Sequence, residues 1–524
     1  MKTITKPDEH RFCIIVGAGI AGIVQSGEFL RKSILPIEEF ELIDRNDGYG
    51  GVWWENTYPG AACDIPSHVY SISWAPNPNW GKRYAPGAEI QKYYENIALG
   101  FGLDKCTTFN TEIVSASWDD SLLLWVVETR NVRTGETKVW TCNMLISAAG
   151  QFSIPKKADI AGLDTFKGEE WHIVQWPKDA VLKGKRVAVI GTGPSAAQTI
   201  PHIYKDLAKL VVYQRSPAYC LPREDYVATG LRKWIFKWVP FAMRLHKLYL
   251  KEMAAFLGRN VFVLGTWWQK KAIELAHRHL DSQVPNETLR AKLKSHDNFG
   301  CKRPLLLDDY YPVFNEPHVE LVTDPVVALD EHSVVSKNKQ TGEKEYRDVD
   351  VLIWGTGYRP ADFGASFPTY GRSGKLLSAH YAPENFSLYG VAVDDFPNYF
   401  TFLGPNSLSF EASVIEEMEK QAHYAGQVAK YLLKKNTGSF RYAVVPREEV
   451  TKSWTLSLRE GQAKHPASAP SCTSYYKSNA GIVYFFPYAL WKYYKLIEKV
   501  NLAKDYLLLS GRPGQNQAKV SEVK

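Results

Sequence analysis

The chain has 524 residues, 45% of them hydrophobic and 23% charged, an ordinary globular composition on a chain too long for one hydrophobic core. Its 63 basic and 56 acidic residues leave a net charge of +7, too mild and too spread out to point to nucleic acid. The polar opening MKTITKPDEHRF lacks a signal core, and no run of about 18 apolar residues exists to cross a bilayer, so a cytoplasmic protein is expected; the sequence leaves the oligomeric state open, with a monomer the default. The cysteines are scattered from Cys13 to Cys472, odd in number and without a C-x-x-C pair, which suits a reducing compartment and argues against structural zinc or a redox disulfide.

The first element is a buried strand, Cys13-Ile14-Ile15-Val16, running into Gly17-Ala18-Gly19-Ile20-Ala21-Gly22 and then a helix. This fits G-x-G-x-x-G. Gly17 permits the tight bend, Gly19 lets the backbone approach a pyrophosphate, and Gly22 lets helix and strand pack closely. The helix start adds unpaired N–H groups and the positive end of a dipole. Phe40-Glu41-Leu42-Ile43-Asp44 reads as the next strand, ending in an acid placed to bond ribose hydroxyls.

The pattern recurs later in the chain. Val187-Ala188-Val189-Ile190 leads into Gly191-Thr192-Gly193-Pro194-Ser195-Ala196, the G-x-G-x-x-A variant, so Gly191, Gly193 and Ser195 should face a second dinucleotide. One such turn alone is weak evidence, since a plain βα corner looks similar; two in one chain are far stronger. The strand after the second turn, Leu210-Val211-Val212-Tyr213, ends in Gln214-Arg215-Ser216 instead of an acid. Arg215 suits a 2′-phosphate, so the first unit should hold FAD and the second NADPH or NADP+.

Apolar strands also end in small residues at 144–150 and 351–357, on either side of the second unit. The expected fold class is therefore α/β, two Rossmann-like dinucleotide-binding domains with the NADPH domain inserted into a split FAD domain. The expected bounds are 1–157 and 348–510 for FAD and 158–347 for NADPH, with a helical excursion near 230–280 and a disordered tail at 511–524. Within the excursion, residues 231–257 mix Arg232, Lys233, Lys237, Arg244, Lys247 and Lys251 with Trp234, Ile235, Phe236, Trp238, Val239, Phe241, Leu245, Leu248, Leu250 and Phe256, and Glu252 is their sole acid. A basic amphipathic helix can lie on a membrane surface. An ordinary excursion with its apolar face packed inward is the favoured reading.

Between the two Gly-rich turns lies Phe166-Lys167-Gly168-Glu169-Glu170-Trp171-His172-Ile173-Val174-Gln175-Trp176-Pro177. With Phe166, Gly168, His172, Trp176 and Pro177 in place, it matches every fixed position of F-x-G-x-x-x-H-x-x-x-W-P and resembles the fingerprint of type I Baeyer–Villiger monooxygenases. Residues 50–64 similarly resemble the family's G-G-x-W-x-x-x-x-Y-P-G-x-x-x-D, with Gly51, Trp53, Tyr58 and Asp64 at fixed positions and Ala62 where members often carry Arg. Gly300-Cys301-Lys302-Arg303-Pro304 looks like the segment that holds the active-site arginine and a lysine for NADPH. Gly404-Pro405-Asn406-Ser407 resembles a loop beside the flavin, which makes Asn406 a cofactor contact by resemblance. Tyr475 stands where many members have Trp, a departure expected to alter the pocket's shape.

The resemblance spans residues 11 to about 480. It implies that NADPH reduces FAD, that oxygen adds to give a flavin peroxide, and that a ketone becomes an ester or lactone. Arg303 and Asp64 are the expected catalytic pair. An arginine that cannot lose its proton is a fixed counter-charge for a peroxide anion and for the oxyanion formed on attack, and Asp64 would orient it. The alternatives are an N- or S-oxygenating flavin monooxygenase, which has no need of Arg303 facing the flavin, and a dinucleotide-sensing regulator, which needs no oxyanion partner. No metal is expected, and the partners are a small ketone and O2.

Overall fold

The structure, a computed structural model, describes residues 7–358, 366–411, 413–474, 477, 482–514 and 518–523. Its first sheet grows from strand β1 (Glu9–Val16), helix α1 (Ile20–Arg31), strand β2 (Phe40–Ile43) and strand β3 (Thr137–Ser147). The apolar run of β1 is buried on both faces, as a central parallel strand requires. β1 pairs in parallel with β2 on one side and β3 on the other. Outward from β3 come Leu124–Asn131, Thr111–Asp119 and Thr369–Tyr370, and outward from β2 comes Thr107–Thr108. Tyr399–Thr401 also pairs with β3, so both ends of the chain feed this sheet.

The second sheet is wholly parallel. It contains β4 (Glu169–His172), β5 (Arg186–Ile190), β6 (Lys209–Tyr213) and β7 (Val351–Trp354), with helix α2 (Pro194–Ile203) between β5 and β6. The order is Val319–Val322, β6, β5, β7, β4. β7 thus belongs to the second unit, although 348 was the expected boundary: its apolar run pairs with β5 and β4, a partnership that no local pattern encodes. The chain's two passages between the sheets run side by side, with Pro155 bridged to Tyr358 and the Lys156 N–H donating to Gly357 O at 2.9 Å.

The excursion comprises α3 (Gly230–Trp238), α4 (Ala242–Val261) and α5 (Trp267–Gln283). Its apolar face is not simply packed inward, because Trp234, Trp238, Phe241, Leu245 and Leu248 are all exposed. Helix α6 (Val414–Lys435) returns to the first sheet, where its buried face joins β1 and α1 in the main apolar core. The expected disordered tail is also corrected. β8 (Tyr506–Gly511) pairs antiparallel with both Arg441–Pro446 and β9 (Lys519–Glu522), so the backbone of this polar end is used in a ladder. Among the described residues no helix is long and apolar enough to cross a membrane.

Candidate active site

At the first Gly-rich turn Gly17 adopts φ +111°, and a Cβ there would lie 2.6 Å from Ala148 O. Only glycine meets both demands. α1 starts at Gly19 without a side-chain cap, so its first N–H groups face the turn. Asp44, at the end of β2, accepts from the Ala18 N–H at 2.6 Å and the Asn46 N–H at 2.8 Å. Burial pushes its carboxyl above the usual carboxylate range, while those two hydrogen bonds pull it back. Gly17, Gly19, Asp44 and Gly51 line one cavity of about 350 Å³, and Gly22 is buried in α1 behind it. A glycine cradle and an uncapped helix start to donate N–H groups, with a strand-end carboxylate to accept, are what an adenine dinucleotide needs.

The second turn repeats this geometry. Gly191 has φ +109°, and a Cβ on it would meet Gly355 O at 2.3 Å. α2 starts at Gly193, again without a side-chain cap, with Pro194 and Ser195 in its first turn. Arg215 follows β6 and is exposed. Lys302 donates to Ser216 Oγ at 2.6 Å and pairs with Asp297 at 2.7 Å. The fold thereby brings Lys302 beside the Arg215–Ser216 corner, and two cations at that corner fit a 2′-phosphate.

Arg303 and Asp64, 239 residues apart, form a two-pronged pair: Nε donates to Oδ2 at 2.7 Å and Nη2 to Oδ1 at 2.6 Å. Arg303 lines the same cavity as Gly17 and Asp44. The fixed cation therefore stands at the wall of the space where the flavin fits.

Three comparisons with known proteins bear on this site. Residues 11–435 match the family described as flavin-binding monooxygenase-like. An FAD-binding monooxygenase, BOA2, from Botryotinia fuckeliana is 57% identical over 515 residues, covering 98% of this chain and 97% of that protein. A Baeyer–Villiger monooxygenase from Streptomyces coelicolor is 32% identical, covering 98% of this chain and 96% of that protein. The chain belongs to the flavin-binding monooxygenase family, among its Baeyer–Villiger members. An oxidized steroid monooxygenase bound to NADP superposes with a TM-score of 0.79 at 26% identity, over 93% of this chain and 97% of that one. The closed structure of cyclohexanone monooxygenase reaches a TM-score of 0.82 at 24% identity, covering 98% and 100%.

In this FAD- and NADPH-dependent monooxygenase the remaining expected residues fall into three groups. Trp53 and Tyr58 line a second cavity, of about 440 Å³, on the side of α2. Tyr58 OH donates to Gln198 Oε1 at 3.1 Å and meets Ser195 Oγ at 3.3 Å, tying the first unit to the helix of the second. The linker fingerprint builds the edge strand β4 and the turn after it. Phe166 and Gly168 pack together before the strand, His172 closes it, and Trp176 meets Trp171 with ring centres 5.6 Å apart. His172 Nδ1 accepts from the Val174 N–H, and burial pushes its pKa down to about 4. Pro177 begins the exit from that turn.

Asn406 sits in the loop between Leu403 and Leu408, both of which line the first cavity. It is buried with φ +69°, its Nδ2 donates to Asn385 O at 3.2 Å, and its Oδ1 accepts from Gln462 at 2.9 Å. Both ends of the amide hold the loop in shape. Tyr475 lies outside the described residues.

Sequence reasoning missed several partners. Tyr70 receives the Trp53 indole N–H at 3.1 Å and lines the same cavity as Arg303. Arg223 donates to Cys63 O at 3.1 Å, next to Asp64. Leu408 and Phe485 supply apolar wall. None of them sits in a spaced motif, so only the fold could reveal them. Scattered cysteines suited to a reducing compartment gave no sign of a disulfide, yet Cys301 and Cys472, 171 residues apart, are joined. Their spacing carries no signal; the fold brings the Arg303 loop against the segment at 472. The five other cysteines are free and buried.

Proposed function

We propose that Arg303, oriented by Asp64, is the group that directs this monooxygenase to insert one oxygen atom of O2 beside a ketone carbonyl, giving an ester or lactone. The observation that carries the reading is the two-pronged Arg303–Asp64 pair on the wall of the flavin cavity. FAD would be held by Gly17, Gly19, Asp44 and Gly51, and NADPH by Gly191, Gly193, Ser195, Arg215 and Lys302; the bound flavin, reduced by NADPH, supplies the activated oxygen.

The chain's own residues supply charge and order. Asp64 occupies the Nε and Nη2 edge of Arg303 and fixes the plane of the guanidinium. That guanidinium stays protonated at any working pH, so it offers N–H donors wherever negative charge develops, including on the substrate's carbonyl oxygen. Donors already in position need not reorganise during the reaction, which is why such contacts favour the transition state. Tyr70, Leu408 and Phe485 give the same space largely apolar walls, which suit an apolar ketone.

The test is mass-spectrometric analysis of products from a panel of ketones, amines and sulfides incubated with protein, NADPH and air. Esters or lactones from ketones are expected. Oxygenated amines or sulfides with no ester would move the enzyme to N- or S-oxygenation. Unchanged substrates with bound flavin and no NADPH consumption would leave only a dinucleotide sensor.

A further inference from the structure

The excursion turns large apolar side chains to solvent in a regular stripe. Leu231, Trp234 and Trp238 follow the i, i+3, i+7 spacing on α3, and Leu245, Leu248 and Phe256 share one face of α4. Phe241, at the corner between the helices, is 69% exposed with φ +64°, a left-handed conformation that a bulky residue seldom adopts. The stripe continues into α5, because the Trp268 ring meets Phe256 with centres 5.0 Å apart.

The opposite side of α4 is held by the rest of the chain. Lys247 Nζ donates to Ser71 O at 2.9 Å, Lys251 pairs with Glu416 at 2.8 Å, and Gly258 lies against the backbone of Phe410. The outward stripe of α4 is thus an exposed apolar face on a helix already anchored on its other side. A continuous apolar surface of this kind marks an interaction site.

Charge selects the partner. Exposed Lys237, Arg244 and Lys270 border the stripe, Lys271 being paired with Glu274, and Glu252 is the sole acid in residues 230–271. A second copy related by a two-fold axis would set the same cations against themselves. An anionic lipid surface accepts both features: indole rings and leucines enter the headgroup–acyl boundary while lysine and arginine reach the phosphates. We propose that α3, the corner at Phe241 and the outward face of α4 form a docking surface for a bilayer containing anionic phospholipids. The surface is coupled to the site already described, since Phe236 and His246 of these helices pack on His68, four residues beyond Asp64, with ring centres 4.9 and 5.4 Å away.

The test uses the full chain with its flavin and vesicles of phosphatidylcholine, with or without phosphatidylserine, in flotation at low and high salt. The protein is expected to float with the anionic vesicles at low salt, about tenfold less with phosphatidylcholine alone, and to release as salt screens the contacts. Lys237→Gln with Arg244→Gln should lower partitioning about thirtyfold. Trp234→Ser with Trp238→Ser should abolish it. Both variants should keep wild-type flavin content and NADPH consumption, which shows that they fold. No flotation of the wild type with anionic vesicles at low salt overturns the proposal. So does sedimentation showing a dimer that Trp234→Ser with Trp238→Ser converts to monomer, which assigns the face to a second copy.

Discussion

Arg303 meets two requirements at once: a charge that pH does not remove and a plane fixed by Asp64. The proposed flavin cradle, Gly17, Gly19, Asp44 and Gly51, does not include Arg303, so Arg303→Ala should purify with FAD and still consume NADPH. Its ester should fall by two to three orders of magnitude, since a positioned oxyanion partner is worth about 3–4 kcal/mol, and the reducing equivalents should leave as hydrogen peroxide. Asp64→Ala should show a milder form, with the cation present but free to turn. Ester, peroxide and NADPH followed together decide it: near wild-type ester per NADPH in Arg303→Ala removes Arg303 from the chemistry. Arg215 poses a separate question. Arg215→Ala should weaken NADPH about tenfold to a hundredfold and leave NADH nearly unchanged, the range expected for a lost charge-assisted bond. An equal loss for both coenzymes would give Arg215 a structural task instead.

At the scale of elements, the two βα turns are the part most legible in the sequence, because steric demand at Gly17 and Gly191 leaves glycine alone able to fill them. The linker fingerprint was equally legible as a motif, but not as an edge strand. The excursion shows the limit. Its helices follow from their apolar spacing, yet which side faces inward depends on partners distant in sequence. Gly258 is where α4 is anchored: a Cβ there would lie 2.6 Å from Phe410 O, a backbone atom with little room to yield. Gly258→Ala gains about 1 kcal/mol of helix propensity but should lose more to overpacking, which costs about 1–3 kcal/mol. Urea unfolding should show a net loss of stability. A more stable alanine variant would mean that α4 sits loosely on this loop.

For the whole molecule, acid should be more damaging than the charge balance suggests. Burial pushes His68, His172 and His465 down to about 4 from an ordinary value of 6.5. Between those values the unfolded chain takes up protons that the folded one refuses, so the contribution is complete above pH 6.5 and lost as pH falls toward 4. Buried Asp44 and Glu417, raised by burial, act in the opposite sense, so comparing a variant with wild type is the cleaner measurement. His172→Asn keeps an acceptor for the Val174 N–H and removes the titration. Its Tm should fall less steeply than wild type from pH 6.5 to 4.5, whereas parallel profiles would show that His172 carries none of the loss.

By itself the sequence determined whatever depends on local sterics and short spacing. That includes the two dinucleotide turns, the acid after β2 and the basic residue after β6, the α/β class, and the motifs that mark the family. Tertiary structure decided whatever depends on which distant segments meet. It gave the Arg303–Asp64 pair, expected only through the family resemblance, its two-pronged geometry, joined Cys301 to Cys472 across 171 residues, and placed β7 in the second sheet. It drew the polar chain end into β9, turned Asn406 inward to brace its loop, and faced the tryptophans of α3 toward solvent. The physical reason is common to all of these. A glycine's allowed angles are fixed by the atoms next to it, whereas a partner for a charge, a thiol or a helix face is fixed only when the whole chain has folded.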